Sequence, residues 1–221
     1  MESAQSPPNA APDPDPDPDA DLRDQVADAV AAEAVFDGFG PTSLGAASRR
    51  LALPAGEADR LFPDGGVGVL AYLGQRADRR TVADMEAAGA ATQKIRDRIR
   101  TAVRLRLERH GGEREALRRA LALLAMPFHA GLGFRMLYRT VDALWYAAGD
   151  TSADFNFYTK RALLAGVYSS TLLYWLNDRS EGAAATWSFL DRLIEDVMRI
   201  EKLKSQVKSW TAGGPRAASR K

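Results

Sequence analysis

Two histidines, His110 and His129, are the first residues to weigh for chemistry, and they stand 19 positions apart with no metal-ligand spacing. The chain has no cysteine, which removes thiolate metal sites, disulfides and Cys–His nucleophilic pairs, and fits a reducing compartment. Glu195 and Asp196 are neighbours on a helical stretch, so their carboxyls diverge instead of sharing a proton. Gly131-Leu132-Gly133 and Gly65-Gly66-Val67-Gly68 follow no strand, so neither is a phosphate-binding loop. No serine, threonine or lysine has an evident base. The chain reads as a non-enzyme, with no catalytic residue, metal or cofactor expected.

Aromatic rings are the more informative chemistry. Leu144-Trp145-Tyr146-Ala147-Ala148-Gly149-Asp150 runs at once into Asp154-Phe155-Asn156-Phe157-Tyr158-Thr159-Lys160-Arg161. Large rings belong in cores, whereas Gly, Asp, Ser and Thr mark exposed turns. A connection rich in both is the lip of an apolar cavity or a surface that meets a partner. The packing of an ordinary connection would also use such rings, so the motif alone does not decide.

The elements that must hold this connection are helical throughout, with no strand pattern. Residues 21–35 form a first helix ending at Gly38 and Gly40. Thr42 or Ser43 caps a short helix through Leu51, broken by Pro54, and residues 55–62 form another, closed by Pro63-Asp64-Gly65-Gly66. A helix from about Val67 into the eighties follows. This is a helix-turn-helix arrangement, with Leu44, Leu51, Leu53, Leu61 and Phe62 as a miniature core and Ala46 and Ala47 allowing close crossing. Helices are then expected over 92–110, 113–125, 128–148, 154–177 and 183–209.

The run from Leu144 to Glu201, with Phe155–Ala162 and Phe189-Leu190-Asp191-Arg192-Leu193-Ile194-Glu195-Asp196-Val197-Met198, resembles the coenzyme Q (ubiquinone) biosynthesis accessory-protein family. The likeness is close over the last third of the chain and looser from Gly38 to Leu73. It implies an all-α, TetR-like fold, lipid binding without chemistry of its own, and assistance to a di-iron hydroxylase late in the pathway. Carried over position by position, the partner-facing patch is Asp142, Trp145, Tyr146, Asp154, Phe157, Tyr158 and Arg161. Phe157 stands where relatives often have Trp, which keeps apolar area and loses an N–H donor.

Four segments follow: a disordered Pro-Asp tail over 1–20, a helix-turn-helix unit with its connecting helix over 21–90, a lipid-binding and dimerisation bundle over 91–209, and a flexible basic tail over 210–221. Residues 1–24 carry seven acids and one base, unlike any signal or transit peptide. With 30 basic and 29 acidic residues, no net field draws the chain to nucleic acid or membrane. The longest uncharged run, 162–177, is too short and too polar to span a bilayer. A cytoplasmic protein is expected, with room for peripheral inner-membrane contact. From Lys202 to Lys221 there are six bases, no acid and one Trp, enough for weak attraction to anionic lipid.

Residues 154–177 are apolar nearly all round, which demands cover from a pocket, a second copy or both. A homodimer through the last two helices is expected, with Trp187, Leu190, Ile194, Val197 and Met198 on one stripe. Leu132, Met136, Leu137, Leu144, Leu164, Val167, Tyr168, Leu172 and Trp175 are the candidate walls of a pocket for an isoprenoid precursor, Gly131 and Gly133 leaving room beside them. A ligand-responsive TetR-type transcriptional regulator is the alternative. Against it, residues 55–62 offer Glu57 and Asp59 to the DNA backbone and only Arg60 in return, so DNA binding is not expected. The stripe Arg96, Arg100, Arg104 reads as a solvated face balanced by Asp97 and Glu108.

Overall fold

The computed structural model describes residues 17–110, 114–149 and 157–212, and within them every side chain except those of Ala91, Phe157 and residues 200–212. All nine long elements among the described residues are helices: α1 (Ala20–Asp37), α2 (Pro41–Arg50), α3 (Glu57–Leu61), α4 (Gly65–Ala87), α5 (Ile95–Glu108), α6 (Arg114–Leu124), α7 (Ala130–Ala147), α8 (Phe157–Asn177) and α9 (Ala184–Ala212). Single 3-10 turns, Ala90–Thr92 and Glu181–Ala183, precede α5 and α9. The helix order is the one expected. The chain divides into two compact units, 1–70 and 71–221, with the division inside α4.

In the first unit, α1 buries Val26, Ala27, Val30, Ala31 and Ala34, a three-and-four spacing that makes one apolar face. Leu44 and Ala47 of α2, with Leu61 and Phe62, are buried as expected, whereas Leu51 and Leu53 are only half-buried. The capping expectation is corrected: Gly40 is the N-cap of α2 and Pro41 occupies its first turn, where its missing N–H costs nothing. Ser43 lies inside the helix and donates instead to the Gly38 carbonyl at 2.5 Å. A side chain at Gly66 would stand 2.7 Å from the Phe39 backbone, so this close crossing requires glycine. α3 is only five residues long, shorter than the sequence suggested, because Pro54 and Gly56 delay its start.

The second unit has one core. Ile99, Ala102, Val103 and Leu107 of α5, Val141 and Leu144 of α7, Leu164, Val167, Tyr168, Leu172, Trp175 and Leu176 of α8, and Leu190 and Ile194 of α9 all enter it. Asp178 ties the α8–α9 turn: its carboxylate accepts from the Ser180 and Thr186 backbone N–H groups at 2.8 and 2.9 Å and from the Thr186 hydroxyl at 2.6 Å. The Thr186 and Ser180 hydrogen bonds hold its carboxyl well below the usual range. The arginine stripe of α5 is balanced more fully than the sequence implied. Arg100 pairs with Asp97 and with Asp191 of α9, while Arg104 pairs with Glu108 and lies 5.0 Å above the Trp187 ring.

Candidate functional site

The aromatic connection begins where α7 ends. Gly149 has a φ of +78°, and a side chain there would meet the Arg98 guanidinium at 2.6 Å. That guanidinium donates to the Ala148 carbonyl at 2.9 Å, fastening the end of α7 to α5. The positive φ favours glycine, and any larger residue would also have to push the Arg98 guanidinium aside. On the other side of the connection, α8 starts at Phe157. Asp154 lies outside the described residues, as does the Phe157 side chain.

Of the patch residues, Tyr146 and Tyr158 are open to solvent, 69% and 76% exposed. Trp145 behaves differently. It is half-buried, packs against the core, and lies beneath Lys160, whose ammonium is 6.0 Å from its ring. Its indole N–H is buried with no hydrogen-bond partner among the described residues. Such a donor costs about 1–3 kcal/mol in a closed core. Arg161 is buried, and its Nε and Nη2 reach Asp142 Oδ1 at 2.8 and 2.6 Å. Two of the three charged members of the patch, Asp142 and Arg161, therefore face each other, and two tyrosines are open to solvent beside them.

The nine candidate lipid contacts divide by depth. Leu144, Leu164, Val167, Tyr168, Leu172 and Trp175 are buried and packed together as core, with the Arg114 guanidinium 4.3 Å above the Trp175 ring. Leu132, Met136 and Leu137 on α7 are half-buried. Gly133 does not leave empty space as expected: its absent side chain admits Leu124 of α6, which a Cβ would meet at 3.3 Å. Gly74 similarly receives the tip of Met136.

A small cleft beside Met136 is lined by Ala71, Gly74, Gln75, Asp78, Met136, Arg139 and Thr140, with room for about one water molecule. Its lining mixes apolar surface with the polar groups of Gln75, Asp78, Arg139 and Thr140, and it was not anticipated. Behind it sits a buried charge pair: Arg106 Nε donates to Asp78 Oδ1 at 2.8 Å, and the Thr140 hydroxyl donates to the same oxygen at 2.9 Å. Arg106 Nη1 donates to His110 Nε2 at 2.5 Å, so that nitrogen accepts and the ring is neutral. Burial, and then the Arg106 charge, push the His110 pKa down to about 3. An exposed His110 would otherwise follow from its position just past a helix end; instead it folds back over the preceding turn. Burial pushes the Tyr168 phenol up. One signal of this cluster was legible, since Arg106 falls on the same α5 face as Ile99, Val103 and Leu107. His129 is the N-cap of α7 without a capping hydrogen bond, its ring edge-on to Phe128 at 6.1 Å.

No group of three His, Cys, Asp or Glu side chains able to hold a metal occurs among the described residues. Nor is any helix among them long and apolar enough to cross a membrane.

Residues 130–201 match the COQ9 family. The ubiquinone biosynthesis protein COQ9, mitochondrial, of Drosophila melanogaster is 32% identical over 155 residues, covering 68% of this chain and 48% of that protein. The Rattus norvegicus protein of the same name is 37% identical over 140 residues, covering 63% of this chain and 40% of its own. For the Bos taurus protein the figures are 33% over 178 residues, 78% and 56%. The chain thus spans about half the length of the curated relatives it matches. Among solved structures, a TetR transcriptional regulator from Nitrosomonas europaea superposes with a TM-score of 0.63, covering 79% of this chain and 97% of its own at 22% identity, a likeness of fold alone. Residues 130–201 are a COQ9-family region, carried on an all-α, TetR-like fold.

Proposed function

We propose that this chain is an accessory protein of ubiquinone biosynthesis that binds an isoprenoid precursor and presents it to a di-iron hydroxylase. The observation that carries the reading is the exposed pair Tyr146 and Tyr158, which flanks the connection inside the COQ9-family region. Exposed rings beside a polar turn are the kind of anchor on which partner binding concentrates. The Asp142–Arg161 pair braces the two helices that carry these rings. Lipid uptake would part the core side chains of α7 and α8, with the half-buried Leu132, Met136 and Leu137 as the first contacts. The names of the relatives support the pathway and a mitochondrial setting for those proteins.

The regulator reading has less behind it. In α3 the sole base, Arg60, is clamped by Glu57 and Asp19 at 2.7 Å each, which leaves no free cation there for phosphate. Mass spectrometry of an organic extract of the purified protein tests the proposal. Recovery of an isoprenoid quinone precursor is expected. A lipid-free extract, together with sequence-specific capture of the upstream DNA, would overturn it.

A further inference from the structure

The corner between α6 and α7 carries four exposed apolar side chains. Phe128 is 83% exposed and Phe134 71%, and Met126 and Tyr138 are also open to solvent. They are not surplus core. Leu137, Val141 and Leu144 already supply the inward face of α7, and Phe134 and Tyr138, four residues apart, are exposed beside it. Phe128 stands in the turn just ahead of that face. Rings this exposed, clustered at one corner, mark an interaction surface.

The charge around them indicates which surface. Between Ala116 and Val141 there is no Asp or Glu. Arg118 and Arg119 pair with Glu115, but Arg135 and Arg139, both exposed on the helix that carries Phe134 and Tyr138, have no carboxylate partner among the described residues. Arg135 leans back over Gly131 toward the turn, its guanidinium 3.9 Å from where a Cβ would lie. Exposed aromatic rings with uncompensated arginines beside them suit the boundary of an anionic bilayer, where rings enter the headgroup layer and guanidinium groups meet phosphate. A second copy suits it less, because a two-fold contact here would bring the same arginines together.

We propose that the α6–α7 corner is a membrane-contact surface that seats Phe128 and Phe134 among the headgroups of anionic phospholipids. It is separate from the basic stretch after residue 201, and it adds an orientation to the proposed function without depending on it.

Flotation of the full chain with vesicles of equimolar phosphatidylcholine and phosphatidylglycerol, against phosphatidylcholine alone, provides the test. Binding to the anionic vesicles that weakens with salt is expected. F128S/F134S and R135Q/R139Q should each weaken it on the order of tenfold, with helicity and melting unchanged. Lys202→Gln, Lys204→Gln and Lys208→Gln together should leave most of it. Because the chain has no cysteine, Phe128→Cys carrying an environment-sensitive dye reports the contact directly. Its emission should shift blue on anionic vesicles, while the same dye at exposed Glu181→Cys should not respond. The proposal is overturned if both corner variants bind like the wild type, if the dye stays unshifted on bound protein, or if neutral vesicles bind equally well. A blue shift that rises with protein concentration without vesicles, meaning a second copy, overturns it too, as does no binding at all. None of these failures touches the proposed function, since the assay contains neither precursor nor hydroxylase.

Discussion

Arg161 on α8 closes on Asp142 on α7, Nε to Oδ1 at 2.8 Å, with the guanidinium buried and the carboxylate half-exposed. The pair joins the helices on either side of the aromatic connection. Removing its exposed member leaves a buried cation short of its partner, the costly direction for such a bond. Asp142→Ala should therefore destabilise by about 1–3 kcal/mol in urea or thermal unfolding. Stability equal to wild type would mean that the other interactions of Arg161 suffice to hold it.

The two exposed tyrosines make the opposite expectation. Tyr146→Ala and Tyr158→Ala should leave the melting temperature almost unchanged and weaken capture of the hydroxylase. Loss of an anchor at about 2 kcal/mol corresponds to roughly thirtyfold. Trp145→Ala, by contrast, should melt early, because its ring packs on the core. Calorimetry beside a pull-down separates the cases. Normal capture by both tyrosine variants would place the contact elsewhere.

Asp78 and Arg106 are a buried pair, side chains 11% and 5% exposed, and Thr140 completes the carboxylate's hydrogen bonds. Asp78→Ala leaves the guanidinium uncompensated in the core of the second unit and should cost about 3–5 kcal/mol. The double change of Asp78 and Arg106 to leucine and methionine should recover most of that loss, since paired apolar replacement avoids the stranded charge. Chemical denaturation of the single and double variants measures the difference.

His110 makes stability depend on pH. The unfolded ring takes up a proton near its ordinary value of 6.5, while the folded ring resists protonation down to about 3. Its folded pKa is depressed, so this contribution is complete above pH 6.5 and is lost as pH falls toward 3. Asp178, also lowered, acts only below its ordinary 3.8, so it meets the His110 window only at its acid end. The melting temperature of the wild type should fall between about pH 7.5 and about pH 5, and His110→Gln should flatten that fall. An equal slope in both proteins would show that His110 titrates normally.

Much of the fold was legible because its signals are local. Pro54, the Gly65-Gly66 pair, Pro127 and Gly149 punctuate helices whose apolar residues recur every three or four positions. What the sequence could not separate is an apolar residue that fills a core from one that lines a cavity. Leu144 and Trp175 satisfy both readings until the neighbours from α5 and α9 are placed, and these come from distant parts of the chain. The Asp78–Arg106–Thr140 cluster was missed for the same reason, since its members lie 28 and 62 residues apart. The α6–α7 corner was hidden because Phe134 and Tyr138 look like core residues until the inward face of α7 is known to be filled.

Ile194, on the stripe expected at the dimer seam, is buried in the core, where a charge would unfold the protein instead of reporting on assembly through α8 and α9. Leu173 is 58% exposed, and Tyr174 beside it stacks on Phe189 of α9 at 4.6 Å with the rings nearly parallel. An exposed leucine next to a stacked aromatic pair is suited to a matching copy across a two-fold axis. Leu173→Asp would place two carboxylates near that axis and remove an apolar anchor, a loss of about 2 kcal/mol or more and so at least roughly thirtyfold in association. Light scattering should show a dimer for the wild type at tens of micromolar and a monomer for Leu173→Asp, with equal helicity and melting for the isolated monomer. A wild-type monomer at that concentration overturns the expected homodimer. A dimer that survives Leu173→Asp moves the seam away from this end of α8.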